Sequence, residues 1–202
     1  FSGAVTATTV TLTNANPTAT IAFNGALTVA TLNTAAQGYN LALNGDGTII
    51  TNAVTFSNTG GVSLGNDSED IIYFNGGFVS TQSTTTLNGK VWTSLDTVQT
   101  AALVLAGGAS IIDTTANGLG PAGASITSTT INGTADNTQS LTLKSGTTGD
   151  INIDGIVGGT ASKQPATITI TNSPTTTFDL AVTLDTSLVL SDTENAHDIT
   201  FT

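Results

Sequence analysis

Residues 23–45 read FNGALTVATLNTAAQGYNLALNG. The stretch opens on Phe23-Asn24-Gly25 and closes on Leu43-Asn44-Gly45, two copies of one pattern: an apolar residue, then Asn, Asp or Ser, then Gly. The pattern returns at Phe1-Ser2-Gly3, Phe74-Asn75-Gly76, Leu87-Asn88-Gly89, Ile131-Asn132-Gly133 and Ile153-Asp154-Gly155. Several intervals agree: 22 residues from Phe1 to Phe23, 20 from Phe23 to Leu43, 22 from Ile131 to Ile153, 25 from Ile153 to Phe178 and 23 from Phe178 to Phe201. Such a period, joined to runs rich in Thr, Val, Ile and Leu, is what a stack of β-coils writes into its sequence.

Each position of the triplet has a physical task in that stack. The apolar residue ends a strand pointing inward. The Asn or Asp tolerates a turn and bonds to nearby backbone, and the Gly is expected to supply positive φ at the corner. With coils about 4.8 Å apart, equivalent apolar residues form an internal column and equivalent Asn side chains a hydrogen-bonded ladder. Phe23, Leu43, Phe74, Ile131 and Ile153 are therefore expected to be buried. A single coil of this length cannot bury enough apolar surface to offset the entropy of ordering its backbone, so each coil depends on its neighbours. Asn-Gly is also a strong hairpin signal, so the alternative is an antiparallel β-sandwich of a fibre subunit.

Composition points the same way. About a fifth of the 202 residues are Thr, 38% are hydrophobic, 5% aromatic and only 8% charged. Thr, Val and Ile favour strands, and no long helical periodicity is present. The expectation is one all-β solenoid domain over 1–202, of roughly nine or ten coils and about 45 to 50 Å long. The stretches 113–123 and 158–165, rich in Gly, Pro and small polar residues, read as loops bulging from the stack.

Several function classes are disfavoured. A net charge of −11, with no Arg and only Lys90, Lys144 and Lys163, repels a nucleic-acid backbone. The longest apolar run, 101–112, is broken by Gly107-Gly108 and too short to span a bilayer. Absence of Cys suits export through an oxidising compartment. The chain does not begin with Met and carries no basic segment before an apolar one, so it reads as a processed or excised piece.

The segments FSGAVTATTVTLTN (1–14) and QSLTLKSGTTGDINIDGIVGG (139–159) resemble the β-strand repeats of filamentous-haemagglutinin-like adhesins and autotransporter passengers. The resemblance implies a right-handed parallel β-helix, an extracellular or cell-surface location on a bacterium, and a structural or adhesive role. It implies glycans, host surfaces or abiotic surfaces as contacts, and no membrane insertion. Asn16-Pro17-Thr18 departs from the Asn-Pro-Asn-Leu signature of that family's secretion domain, so the segment is read as stalk or filament.

Catalysis finds little support. The fourteen acids are scattered, pairs such as Asp150/Asp154 and Asp179/Asp185 fall at turn positions, and His197 stands in the polar run 193–198 with no triad partners. The chain is therefore expected not to be an enzyme. No cofactor is implied except Ca²⁺, for which Asp67, Glu69 and Asp70 put three hard oxygen donors in one Gly-entered loop beside Asn66. That spacing matches neither the EF-hand loop nor the Gly-rich nonapeptide Ca²⁺ repeat, and the alternative is a solvated loop.

The pairs Thr11/Thr13, Thr18/Thr20, Thr84/Thr86 and Thr127/Thr129, with the trio Thr167/Thr169/Thr171, place hydroxyls on one strand face. Stacked in register they would make an ice-binding array, the alternative function beside a carbohydrate-binding or carbohydrate-active solenoid. Finally, Phe1-Ser2-Gly3 and Ile199-Thr200-Phe201-Thr202 fall in phase with the repeat. The sequence therefore predicts either continuation into a longer solenoid or head-to-tail association of copies.

Overall fold

The computed structural model describes residues 1–13, 16–191 and 197–202. The chain runs back and forth between two sheets whose strands lie parallel, each strand pairing with its equivalent one coil later. The first sheet stacks Val5–Leu12, Leu27–Thr34, Thr48–Ile50, Ile71–Phe74, Lys90–Thr93, Ala109–Asp113, Ser140–Lys144, Thr167–Asn172 and Ser187–Leu190. The second stacks Thr20–Phe23, Asn40–Leu43, Gly61–Leu64, Thr84–Leu87, Val98–Leu105, Ile126–Gly133, Ile151–Ile153, Thr175–Phe178 and Asp198–Phe201. Two short strands, Val54–Thr55 and Phe78–Ser80, add a third face at mid-stack and run on into the start of Val98–Leu105.

This is an all-β solenoid of about eight turns, with no helix among the described residues. Among the described residues every strand pairing is parallel, which excludes the antiparallel sandwich; the one antiparallel contact among them is an isolated bridge between Ser94 and Thr115. Nine stacked strands in each sheet make nine layers joined by eight steps, at the lower end of the nine or ten coils expected, although two of the steps are long. The step from Ala109 to Ser140 takes 31 residues and that from Ser140 to Thr167 takes 27, whereas Ile71 to Lys90 takes 19. The surplus is the two expected loops, 113–123 and 158–165. Eight steps of about 4.8 Å give a stack about 38 Å high.

Inward side chains form columns. In the second sheet Phe23, Leu43, Leu64, Leu87 and Leu105 lie in one register. In the first, Thr48, Ile72, Val91, Ile112, Leu143 and Ile170 do. Phe23, Leu43, Phe74, Ile131 and Ile153 are all buried, as expected. The triplets mark strand ends in both sheets, however: Phe74 stands over Ile50 in the first sheet, not over Leu43. It meets Phe56 and Phe78 at ring separations of 5.9 and 4.6 Å, an aromatic cluster filling the wide middle of the solenoid.

The triplet's polar residue behaves as expected at one step, where Asn44 Nδ2 donates to Asn24 Oδ1 at 2.9 Å. The glycine does not. Gly25 and Gly45 keep ordinary φ, and among the triplet glycines only Gly89 turns positive, at 144°. What Gly25 and Gly45 provide is room. A Cβ on Gly25 would lie 2.5 Å from the Gly3 carbonyl carbon, and one on Gly45 would land on the backbone joining Gly25 to Ala26. Successive coils cross there backbone on backbone.

Candidate functional site

Residues that alternate with the core columns face outward from the first sheet. Along Ile71–Phe74 the buried Ile72 and Phe74 flank the half-buried Tyr73; along Lys90–Thr93 the buried Val91 and Thr93 flank the half-buried Trp92. Tyr73 and Trp92 are direct register partners. Their rings meet at 5.3 Å and 81°, an edge-to-face pair.

The loop 114–123 folds back over this face at the level of Ala109–Asp113, and a buried carboxylate holds its root. Asp113 Oδ1 accepts from the Thr115 amide at 2.6 Å and from the Thr115 hydroxyl at 2.5 Å. The Thr114 hydroxyl donates to the Ala124 carbonyl at 2.7 Å and accepts from the Ala124 amide at 3.0 Å, closing the loop's base. Ala116 at φ 51°, Asn117 at 58° and Gly118 at 84° are consecutive in the left-handed region. For the first two that conformation costs roughly 1 kcal/mol or more each, and it persists only where the surroundings impose it. Here the surroundings are the preceding coil: the Ala116 amide donates to the Thr93 carbonyl at 3.0 Å, next to the Ser94–Thr115 bridge.

A cleft opens on each side of the loop. One, of about 490 Å³, has a mixed lining; Ile111 and Pro121 lie along it with Asp113, Thr142, Lys144 and Asn172, and Lys144 Nζ is 3.6 Å from Asp113 Oδ2. The other, of about 310 Å³, has the Tyr73–Trp92 pair on one side, Asn75 and Ser94 beside it, and Ala116, Asn117 and Leu119 of the loop opposite. The sequence reading did not single out Trp92 or Tyr73. The available signal was a lone Trp and one of two Tyr at outward positions of alternating strands in an aromatic-poor chain.

Asp67, Glu69 and Asp70 sit in the corner between Gly61–Leu64 and Ile71–Phe74. Asp70 Oδ2 accepts from the amides of Asn66 and Asp67 at 2.8 and 3.0 Å, and Asp67 Oδ1 accepts from the Glu69 amide at 3.0 Å. Glu69 reaches across to Lys90 at 2.8 Å, an exposed pair of small energetic weight. The carboxylates are thus engaged as braces of the turn. Among the described residues no group of three acidic, His or Cys side chains is placed to hold a metal ion. Asp70→Ala is expected to cost about 1 kcal/mol, because two backbone amides lose their acceptor in a partly buried corner where water replaces it only in part. Chelator is expected to leave the melting temperature of the parent chain unchanged; a fall with chelator, restored by Ca²⁺, would return the loop to a metal role.

The outward threonines are dispersed. Thr11 and the 167–171 trio belong to the first sheet, whereas Thr20, Thr84/Thr86 and Thr127 belong to the second. Their register partners are mixed: Thr11 faces Asn33, Thr20 faces Asn40, Thr86 faces Ser63 and Val104, and Thr127 faces Gln99 and Asn152. These pairs therefore build no continuous two-column hydroxyl array. His197 Nε2 lies 3.0 Å from the Thr176 hydroxyl, and the neighbouring residues 193–196 lie outside the described residues.

The chain matches no protein-family model, no curated protein and no solved structure.

Proposed function

We propose that the chain is a length of structural, adhesive solenoid, a fibre or stalk segment of a bacterial cell surface that continues end to end by β-stacking. One observation carries the reading: every coil is added to the last by the same parallel register pairing, a ladder that a further coil extends without any new kind of contact. Val5–Leu12 and Thr20–Phe23 at one end, Ser187–Leu190 and Asp198–Phe201 at the other, are the outermost strands of their sheets.

The side chains at the ends repeat the same logic. Phe1 lies flat on Phe23 with ring centroids 4.8 Å apart and planes 6° from parallel, and Phe201 lies on Phe178 at 5.3 Å and 11°. The outer rings are 65% and 60% exposed. Another coil on either end would extend each ring column by one step and cover that apolar surface. The contact is heterologous and does not close, so it generates a filament rather than a discrete oligomer. Stiffness from the continuous parallel ladders suits an extracellular stalk, and absence of Cys suits export.

Sedimentation and negative-stain electron microscopy test this directly. Mean mass should rise with protein concentration and with salt, since ions screen the repulsion between copies of charge −11 over about 10 Å at 0.1 M. The particles should be rods of constant width and variable length, and Phe201→Lys should shorten them. A chain that stays monomeric across concentration and salt overturns the stacking mechanism.

A further inference from the structure

The cleft between the Tyr73–Trp92 pair and the loop 114–123 is not needed by a fibre. Its composition departs from the rest of the outer surface: it gathers the chain's lone Trp, one of its two Tyr, two Asn amides and a Ser hydroxyl, with no charged side chain along it. At 81° to one another the two aromatic rings form a corner, one plane as floor and the other as wall. The face of such a ring takes an apolar, C–H-bearing surface. Asn75 and Asn117 each offer an amide donor and acceptor, and Ser94 a hydroxyl, around that floor. The volume of about 310 Å³ is at the lower end of the roughly 300 to 1,000 Å³ range of small-ligand sites.

A flat ring with C–H groups on its face and hydroxyls around its rim meets both demands at once. A pyranose is such a ring. Absence of cations along the cleft and the overall charge of −11 select a neutral sugar over a uronic or sulfated one. The parts are held before any ligand arrives. Trp92 is braced by Tyr73, Asn75 Oδ1 accepts from the Ser94 hydroxyl at 3.4 Å, and the left-handed run Ala116–Gly118 is tied down through Thr115 to Asp113. Such pre-organisation reduces the entropy lost on binding. Leu119, 90% exposed at the rim, adds an apolar edge beside the opening.

We propose that this cleft binds a neutral pyranose unit of a glycan, packed against the Trp92–Tyr73 corner with Asn75 and Asn117 bonding its hydroxyls. The assignment stands apart from the fibre reading, since a monomer would carry the same cleft. Because Trp92 is the only tryptophan, its emission reports on this site alone. The chain is titrated with cellohexaose, chitohexaose, xylohexaose and maltohexaose, with polygalacturonate as the acidic comparison, and heats of binding are recorded in parallel.

At least one neutral oligosaccharide should give a saturable emission change and a matching heat, while polygalacturonate gives neither. Trp92→Ala should abolish the heat, and Asn117→Ala, at an exposed loop position, should weaken binding about tenfold, equivalent to about 1.4 kcal/mol. Circular dichroism checks that both variants keep the parent fold. Absence of a saturable response to all four neutral probes into the millimolar range overturns the proposal. So does unchanged affinity in folded Trp92→Ala or Asn117→Ala, or preferential binding of polygalacturonate.

Discussion

Phe74→Ala should remove about 3 to 5 kcal/mol of unfolding free energy, the largest loss expected from a single side chain here. Phe74 is fully buried and lies at the crossing of two packing systems. Along the stack it stands between Ile50 on one coil and Thr93 on the next. Across the interior it meets the ring of Phe56 edge-on at 87° and that of Phe78 at 41°. Removing it opens a cavity that its neighbours cannot close. Thr93 is anchored by its hydroxyl, which donates to the Asp96 carbonyl at 2.5 Å, and Ile50 is fixed in the ladder between Leu27–Thr34 and Ile71–Phe74. The exposed Phe1 provides the comparison, since Phe1→Ala removes a ring that is 65% exposed and is expected to cost no more than about 0.5 kcal/mol. Urea unfolding followed by circular dichroism should separate the two variants clearly. Similar midpoints for both would mean that the aromatic cluster is not a centre of cohesion.

The parallel solenoid was legible because stacking imposes a spacing, and spacing survives in a linear sequence. The intervals from Phe1 to Phe23 to Leu43, and from Ile153 to Phe178 to Phe201, are real coil steps. The interval from Ile131 to Ile153 is not a register step: Ile131 pairs with Leu103, and Ile153 pairs with Ser128 and Phe178. A triplet says that a strand ends, not which sheet it ends in, so Phe74 could not be told from Leu43. The loops at 113–123 and 158–165 add length without adding layers, which breaks the regular spacing between Ala109 and Thr167.

Legibility of the sites was poorer, for related reasons. Asp67, Glu69 and Asp70 draw attention as clustered carboxylates, but the amide hydrogens that engage Asp67 and Asp70 are invisible in a list of side chains. The aromatic cleft needs Tyr73, Trp92 and Asn117 from three successive coils. Its register depends on the shortest step of the first sheet and its wall on one of the longest loops. No local pattern carries that combination.

The glycine of the triplet gives the second large effect, and its test separates two explanations of why glycine is there. Gly45→Ala should cost about 3 kcal/mol, because the new methyl would meet the peptide between Gly25 and Ala26, and backbone cannot swing aside as a side chain can. Moving the coils apart would strain everything that ties them at this corner. The Asn44 amide bond to the Phe23 carbonyl at 2.8 Å and the Asn24–Asn44 ladder would both lengthen. So would the bridge through buried Thr48, whose hydroxyl donates to the Gly45 carbonyl at 2.7 Å and accepts from the Leu27 amide at 3.1 Å. Two controls bracket the result. Gly47 has open space around its Cβ position but φ of +72°, so Gly47→Ala should cost about 1 to 2 kcal/mol from the left-handed backbone alone. Gly108 has open space and no positive φ, so Gly108→Ala should be neutral or stabilising by about 0.4 to 1 kcal/mol through the unfolded chain. The expected order of stability is Gly108→Ala above Gly47→Ala above Gly45→Ala, read from denaturation midpoints at constant m-value. If Gly45→Ala proves no worse than Gly47→Ala, close approach of coils is not what demands the residue. If the order holds, the triplet records contact between layers: the apolar residue fills the column, the Asn joins the ladder, and the Gly lets one coil's backbone rest against the next.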